Sequence, residues 1–535
     1  MSKLREKRRK SRVPVLSAAE AVQMIPSGAV VAFTGAGGGI VEPTELILAL
    51  AERYRNTKAP QDLTLMAMTG LGDRGDRGLS PLAQEGLCRR AIIGHWGQSP
   101  RIAEMAERNE IEAYNYPQGV MCQMYRAAAA GQPGVLTHVG LHTFLDPRQK
   151  GAKLNDRTTE DMVSLTEIDG KEYLFYRAVC PDVSIIRAST ADTEGYLTME
   201  DEITPMDVYP LAEAAHNNGG LVIAQVHQLV KKGTLHPKRV VVPGYLVDAV
   251  VVVPDQPQLY GTPVSKFISG DLIADDSRQE ALPLTERKVI ARRALMEASP
   301  GDVGNLGVGI ADGIGNVANE EKVGEFITLT TEHGAIGGVT LQGIAFGASV
   351  NMKAVIDSAS QFDFYDGGGL DICYVSFAEV DQMGNVNVHR FNGKIMGTGG
   401  FVNISQNSRK IVFCGTLKSG GLRTKVGEGK IEILQEGRFV KLLPEVEEIT
   451  FHAKEAVKSR KEVWYVTERA VFRMTETGIE LCEIAPGLDM ERDVIQHMGF
   501  RPQIAKQVKT MDARLFESQP MNLKQDWVKK YGELD

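Results

Sequence analysis

Cysteine is scarce and scattered in this 535-residue chain. Six stand at positions 88, 122, 180, 373, 414 and 482, with no C-x-x-C and no tight Cys/His grouping, which excludes a structural zinc site and suits a reducing compartment. No apolar run approaches the ~18 residues of a membrane span. No apolar h-region opens the chain either, so the expected location is cytoplasmic, without membrane contact. An excess of positive charge is also missing. With 60 Lys and Arg against 68 Asp and Glu the net charge is -8, which argues against nucleic acid as a partner and points to a small molecule. Walker A is absent, because the G-K pairs are followed by Glu172, Ile395 and Ile431 rather than by Ser or Thr.

Hydrophobic residues make up 43% of the chain, enough for one or more full cores. Short β-branched runs, such as Ala29 to Phe33, Leu221 to Val226, Val247 to Val253 and Lys410 to Phe413, alternate with amphipathic stretches at Pro43 to Tyr54 and Thr285 to Ala298. That alternation predicts α/β layers around a largely parallel, buried sheet. Ser17 and Glu20 have the spacing of a capping box that opens a helix. The polar stretch Asp271 to Pro283 marks a boundary between an N-terminal domain over 13–275 and a C-terminal domain over 284–520. Residues 1–12 hold Lys3, Arg5, Lys7, Arg8, Arg9, Lys10 and Arg12, and read as a solvated, disordered arm rather than an RNA or membrane tether.

An internal repeat supports two similar halves. DVSIIRASTADTEGYLT, from Asp182, aligns without gaps on DICYVSFAEVDQMGNVN, from Asp371, and Asp192 and Gly195 of a D-x-x-G turn answer Asp381 and Gly384. At the same offset LVIAQV from Leu221 falls on KIVFCG from Lys410. Three identities in seventeen positions prove little, and the shared order of strand, turn and strand carries more weight.

Glycine-rich turns follow apolar runs near the start of each half, at Gly35, Gly37, Gly38 and Gly39 and at Gly307 and Gly309. Such turns admit close ligand approach and aim N–H groups at anions. Pro43 suits a first helical residue after the earlier turn. Neither loop keeps G-x-G-x-x-G, since Ile40 interrupts the first, so a dinucleotide site is disfavoured. Further clusters stand in YDGGGLD and in MGTGGF, from Met396 to Phe401. TLTTEHGAIGG, from Thr328, sets a single carboxylate, Glu332, at the mouth of a strand before Gly334, Gly337 and Gly338. A carboxylate there is suited to covalent acyl chemistry when backbone N–H groups form an oxyanion hole; otherwise it is an exposed strand-end residue.

GAGGGIVEP, AQEGLCRRAIIGHWGQSP, AYNYPQGV, VGLHTFLDPRQKGAKLN, NLGVGIADG, TTEHGAIGG, FDFYDGGGLD, MGTGGFVNI and EIAPGLD follow one another along nearly the whole chain. In this order they resemble the family I coenzyme A transferases, most of all the bacterial single-chain acetate or propionate type. The resemblance implies two similar open α/β domains from an internal duplication, with the active site at their interface. It implies Glu332 as glutamyl nucleophile and Gly400 as oxyanion donor. It places Asn305, Gly307, Gly309, Gly399 and Gly400 along coenzyme A and Gln118 in the acyl pocket. The partners implied are acyl-CoA and short-chain carboxylic acids, in a homodimer or homotetramer, with no metal and no permanently bound cofactor. The first loop departs from the family's GGF-type signature, so no role is carried onto it. Two alternatives stand: an acyl-CoA hydrolase on the same scaffold, and a non-catalytic sensor of a CoA ester or sugar phosphate.

Other residues read more plainly. His138 and His142 are spaced i, i+4 without a catalytic Glu between them, so no metalloprotease pair forms. His333 reads as a passive neighbour of Glu332, His95 and Trp96 as core or dimer contacts, and Cys414 as a buried strand cysteine. Lys418 and Arg423 are candidate phosphate cations by proximity to a glycine cluster.

Overall fold

The computed structural model describes residues 12–275 and 281–534. The basic arm, apart from Arg12, lies outside the described residues, as do 276–280 of the polar stretch. Two ten-stranded sheets carry the fold. In the first, Val15–Leu16 (β1), Val30–Phe33 (β2), Leu63–Ala67 (β3), Cys88–Ile93 (β4), Glu112–Tyr114 (β5), Val183–Asp192 (β6), Leu221–Val230 (β7) and Ala249–Val252 (β8) form the main path. Their order is β1-β8-β7-β6-β2-β3-β4-β5, with each neighbouring pair parallel. As a parallel strand covered on both faces should be, β6 is buried along its whole length.

The second sheet comprises Val303–Leu306 (β9), Thr328–Thr330 (β10), Ala335–Ile336 (β11), Ala354–Val355 (β12), Ile372–Ser376 (β13), Lys410–Cys414 (β14), Glu462–Val466 (β15), Ala470–Thr475 (β16), Gly478–Ile484 (β17) and Gln503–Thr510 (β18). It runs β12-β11-β10-β9-β13-β14-β15-β16-β17-β18. Its parallel centre, β10-β9-β13-β14-β15, repeats β3-β2-β6-β7-β8 strand for strand. Antiparallel strands extend it on both edges.

The repeat read from the sequence is physical. Asp182 and Asp371 each stand before the central strand of their half, and their carboxylates accept the N–H of Val30 at 2.9 Å and of Val303 at 3.0 Å. Their carbonyls accept from Leu221 and Lys410 at 2.8 and 2.9 Å. The two D-x-x-G turns also match: Asp192 Oδ1 accepts from the N–H groups of Glu194 and Tyr196, and Asp381 Oδ1 from those of Met383 and Asn385. Gly195 and Gly384 take the left-handed φ these turns need, +92° and +82°.

The helices that bear on the site are Thr44–Thr57 (α1), Gln118–Ala129 (α2), Glu286–Leu295 (α3), Ser358–Asp366 (α4) and Phe401–Asn407 (α5). In α1, Leu46, Ile47, Leu50, Ala51 and Tyr54 form the buried stripe, and Pro43 stands at the N-cap rather than inside the helix. The Ser17–Glu20 capping box forms both of its hydrogen bonds, although the α-helix it opens is only Ala18–Ala21 before it tightens into a 3-10 turn.

If these aspartates pin the central strands, D182A and D371A should each lower stability by about 1–3 kcal/mol, the cost of stranding a backbone N–H that had bonded a charged acceptor. The shift of the urea midpoint measures this, and unchanged midpoints would refute the assignment.

Candidate active site

The carboxyl ends of both sheets converge on one cavity of about 950 Å³. From the first half come Gly37 after β2, Thr69 and Gly70 after β3, and His95 after β4; from the second come Gly307 to Gly309 after β9 and Glu332 after β10. Strand order in each sheet reverses direction at its centre, between β2 and β6 and between β9 and β13. Crevices outside the carboxyl ends at such switch points are where α/β sheets take ligands.

Glu332 sits in the turn between β10 and β11. Thr331 N–H donates to Ala335 O at 3.0 Å and Gly334 N–H to Thr331 O at 3.1 Å, and the chain returns with Thr330 opposite Ile336. Gly334 has φ +107°, and a Cβ there would lie 2.0 Å from Ile356 O, so the position accepts only glycine. Glu332 is 8% exposed and faces the cavity, and its Oε2 has no hydrogen-bond partner. A carboxylate held this dry without a bonded cation keeps its electron pairs for an incoming electrophile. Burial pushes the neighbouring His333 imidazole below its usual range, against the pull of Glu332. His333 is therefore neutral near pH 7.

The loop Met396 to Gly400 is locked to the first half by main-chain bonds. Met396 O accepts from Trp96 N–H at 2.8 Å and Gly97 N–H at 2.9 Å, Gly399 N–H donates to Gly94 O at 2.8 Å, and Gln118 N–H donates to Gly399 O at 2.9 Å. Thr398 N–H donates to Asn115 Oδ1 at 3.0 Å. Gly397 has φ +78°, and a Cβ there would stand 2.7 Å from Trp96 N. Gly399 thus spends its N–H on Gly94, whereas among the described residues that of Gly400, at the N-cap of α5, has no acceptor.

Of the residues expected at the site, Glu332, Gly307, Gly309, Gly399 and Gly400 line this one cavity; Asn305 and Gln118 do not. Asn305 is fully buried in β9, off the cavity wall; its Nδ2 donates to Thr330 O at 3.3 Å and to Tyr365 Oη at 3.2 Å, bracing the strand beneath Glu332, and among the described residues its Oδ1 has no partner. Gln118 is fully buried at the start of α2 behind Gly399, with neither amide atom bonded. Lys418 and Arg423 are not on the wall, while Arg74, Arg287, Arg438 and Lys441 are. Arg287 donates to Gly309 O at 2.7 Å. Lys441 Nζ lies 4.1 Å from the Phe377 ring centroid, and burial lowers its ammonium to about 8, against the pull of Glu468. His95, expected as a core or dimer contact, also lines the cavity; burial, aided by the Arg74 charge, pushes it down to about 4. These residues come from distant segments, and no local pattern in the sequence marks them.

A nearly dry carboxylate, an unspent backbone N–H and a group of cations around one cleft define a site for covalent group transfer. The family model for Coenzyme A transferase matches residues 15–253. Acetate CoA-transferase YdiF of Escherichia coli (strain K12) is 59% identical over 517 residues, 96% of this chain and 97% of that protein. Caffeate CoA-transferase of Acetobacterium woodii is 41% identical, over 94% of this chain and 97% of that one. The crystal structure of the acyl-CoA transferase YdiF from E. coli O157:H7, as a thioester complex with CoA, matches with a TM-score of 0.92 and 57% identity, covering 96% of this chain and 98% of that chain. The chain belongs to the coenzyme A transferase family and is a single-chain CoA-transferase. Among the described residues, no group of three or more His, Cys, Asp and Glu is arranged to hold a metal, and no helix is long and apolar enough to cross a membrane.

The turn around Glu332 leads to a contrast between two glycines. G334A should cost at least about 2 kcal/mol, through a forbidden φ and a backbone collision. G343A, whose added Cβ meets nothing within 4 Å, carries only the cost of its φ of +65°. Thermal melts of the two variants check this, and equal melting temperatures would contradict it.

Proposed function

We propose that this CoA-transferase moves CoA between short-chain carboxylic acids, acetate or propionate among them, through a thioester on Glu332. The observation that carries the reading is a Glu332 Oε2 that has no partner among the described residues, in the cavity that Gly400 lines with an N–H that likewise has none. The Glu332 carboxylate attacks the thioester carbonyl of the donor acyl-CoA, the C–S bond breaks, and CoA leaves as thiolate from a mixed anhydride. The thiolate then attacks the glutamyl carbonyl, and the donor acid departs as carboxylate. The acceptor carboxylate runs both steps in reverse. One thioester is broken and one made, so no net hydrolysis occurs and no ATP is needed.

Each tetrahedral intermediate carries an oxyanion, and a preorganised N–H such as that of Gly400 is worth roughly 2.7–4 kcal/mol to it. The CoA phosphates supply negative charge, and Arg287 and Arg438 are the cations proposed to meet it. Binding energy from that distant end draws the thioester onto Glu332. The neutral imidazoles of His95 and His333 offer Glu332 no charge to pair with, and the glycine-walled cleft limits hydrolysis of the anhydride. The halves 13–275 and 284–520 act in this reading as the two domains that each give one wall.

Incubation with acetyl-CoA alone, followed by hydroxylamine or borohydride, should modify the peptide containing Thr331 to Gly334. E332A should fold normally and lose exchange by about 10³-fold or more. Label elsewhere, or retained activity, would refute the mechanism. Steady release of free CoA without an acceptor acid would favour the hydrolase.

A further inference from the structure

Helix α2 has no cap of its own. Pro117 stands at its N-cap and makes no side-chain bond, and the other half of the chain takes up its first N–H groups. Gln118 N–H donates to Gly399 O at 2.9 Å, and Gly119 N–H donates to Asn403 Oδ1 at 3.2 Å. Gly119 must be glycine, since a Cβ there would lie 2.4 Å from Asn403 Nδ2. Asn403 is fully buried, in the first turn of α5 directly after Gly400. Its Nδ2 donates to both oxygens of Asp366, at 2.9 and 3.0 Å, at the end of α4. Asn407 Nδ2 adds a longer bond to Asp366 at 3.4 Å. A carboxylate only accepts, so Asp366 dictates which end of the Asn403 amide turns to it and leaves the oxygen for Gly119.

We infer that Asn403 and Asp366 are positioning residues for the transfer reaction: an amide cap supplied by one half to a helix of the other, oriented by a carboxylate, sets the spacing between Gln118 and the Gly399–Gly400 backbone. The inference rests on the reading of Gly400 as the oxyanion donor. The same α5 that carries Asn403 begins at Gly400, so a loosened cap shifts donor and α2 relative to each other without touching the reacting atoms. Displacements near 1 Å at this level cost up to about 10²-fold in rate. Burial raises the Asp366 carboxyl to about 7, opposed by its bonds from Asn403, so the assays belong at pH 8.5, where it is ionised.

The test is a charge exchange. N403D keeps an acceptor for Gly119 but sets two carboxylates face to face, and should lower kcat by about 10- to 100-fold while KM for acyl-CoA stays within about 2-fold. In D366N/N403D the new amide donates to the new carboxylate, which still accepts from Gly119 at a helix N-terminus that favours negative charge. That double variant should return kcat to within about 3-fold of the parent. N403A, which removes the acceptor without adding charge, covers the case in which N403D does not fold. Hydrogen exchange of the Gln118–Gly119 amides should quicken in N403A and N403D and recover in the double variant. A double variant no better than N403D, or amide exchange that quickens while kcat holds, would overturn the inference. Neither result bears on Glu332, whose failure shows separately in the labelled peptide and in E332A.

Discussion

Two stretches of main chain from opposite halves lie close enough to hydrogen-bond to each other, and the site depends on that approach. Residues 94–97 and 396–399 share three such bonds, and Gln118 N–H adds a fourth from the first half. At 0.5–1.5 kcal/mol apiece their net energy is modest. Their geometric effect is larger. A side chain would keep the two backbones apart, which is why Gly397, whose Cβ would lie 2.7 Å from Trp96 N, has none. The wall they form consists of backbone dipoles that cannot swing away, and stabilisation of a developing oxyanion needs donors that do not reorganise.

The same approach shapes the electrostatics. Buried imidazoles on both sides of the cleft are held neutral by desolvation, His95 by its surroundings and by Arg74, His333 by burial alone against Glu332. A neutral His333 gives Glu332 no ion-pair partner, and its Oε2 is left without a hydrogen bond that would make it a weaker nucleophile. Charge of the opposite sign is present but comes from other elements: Arg74 from the loop after β3, Arg287 from α3, Arg438 and Lys441 from the segment after β14. The reacting carboxylate and the cations therefore attract the same substrate at different points, which lets binding at one end do work at the other.

Much of this was legible in the residues. The D-x-x-G turns and the paired aspartates give local signals, because a carboxylate that accepts successive N–H groups needs fixed spacing, and their duplication pointed to two matching sheets. The turn at Glu332 was legible for the same reason, since only glycine takes the backbone angles at 334. That Asn305 stands off the cavity wall was not legible, because strand alternation, which decides whether a side chain meets cleft or core, cannot be phased from glycines that follow it. Helix α3 hid its part as well. Lys288, Arg292 and Arg293 resemble a solvated face, yet all three are buried against Glu320, Glu483 and neighbouring carbonyls. Buried ion pairs of this kind follow from tertiary partners that composition does not reveal.

Duplication leaves a question that the geometry answers. Both halves bring the ends of their first two matching strands to the cleft, β2 and β3 in one and β9 and β10 in the other, so each offers a position for a nucleophile after the strand that neighbours its first. In the second half that position is Thr331-Glu332-His333; by strand register, with Val303 opposite Thr328 as Val30 is opposite Thr64, the first half has Ala67-Met68-Thr69 there, and Met68 is fully buried. One copy has kept space and a carboxylate at that position, and the other has a buried methionine there. A second carboxylate at the matching Met68 would be buried away from the cleft, where an unpaired charge costs most. The asymmetry lets a symmetric fold place one reactive carboxylate after β10, while the half without it lends Gly37, Thr69, Gly70, His95 and Gln98 to the wall, with Asp73 and Arg74 as its charged residues.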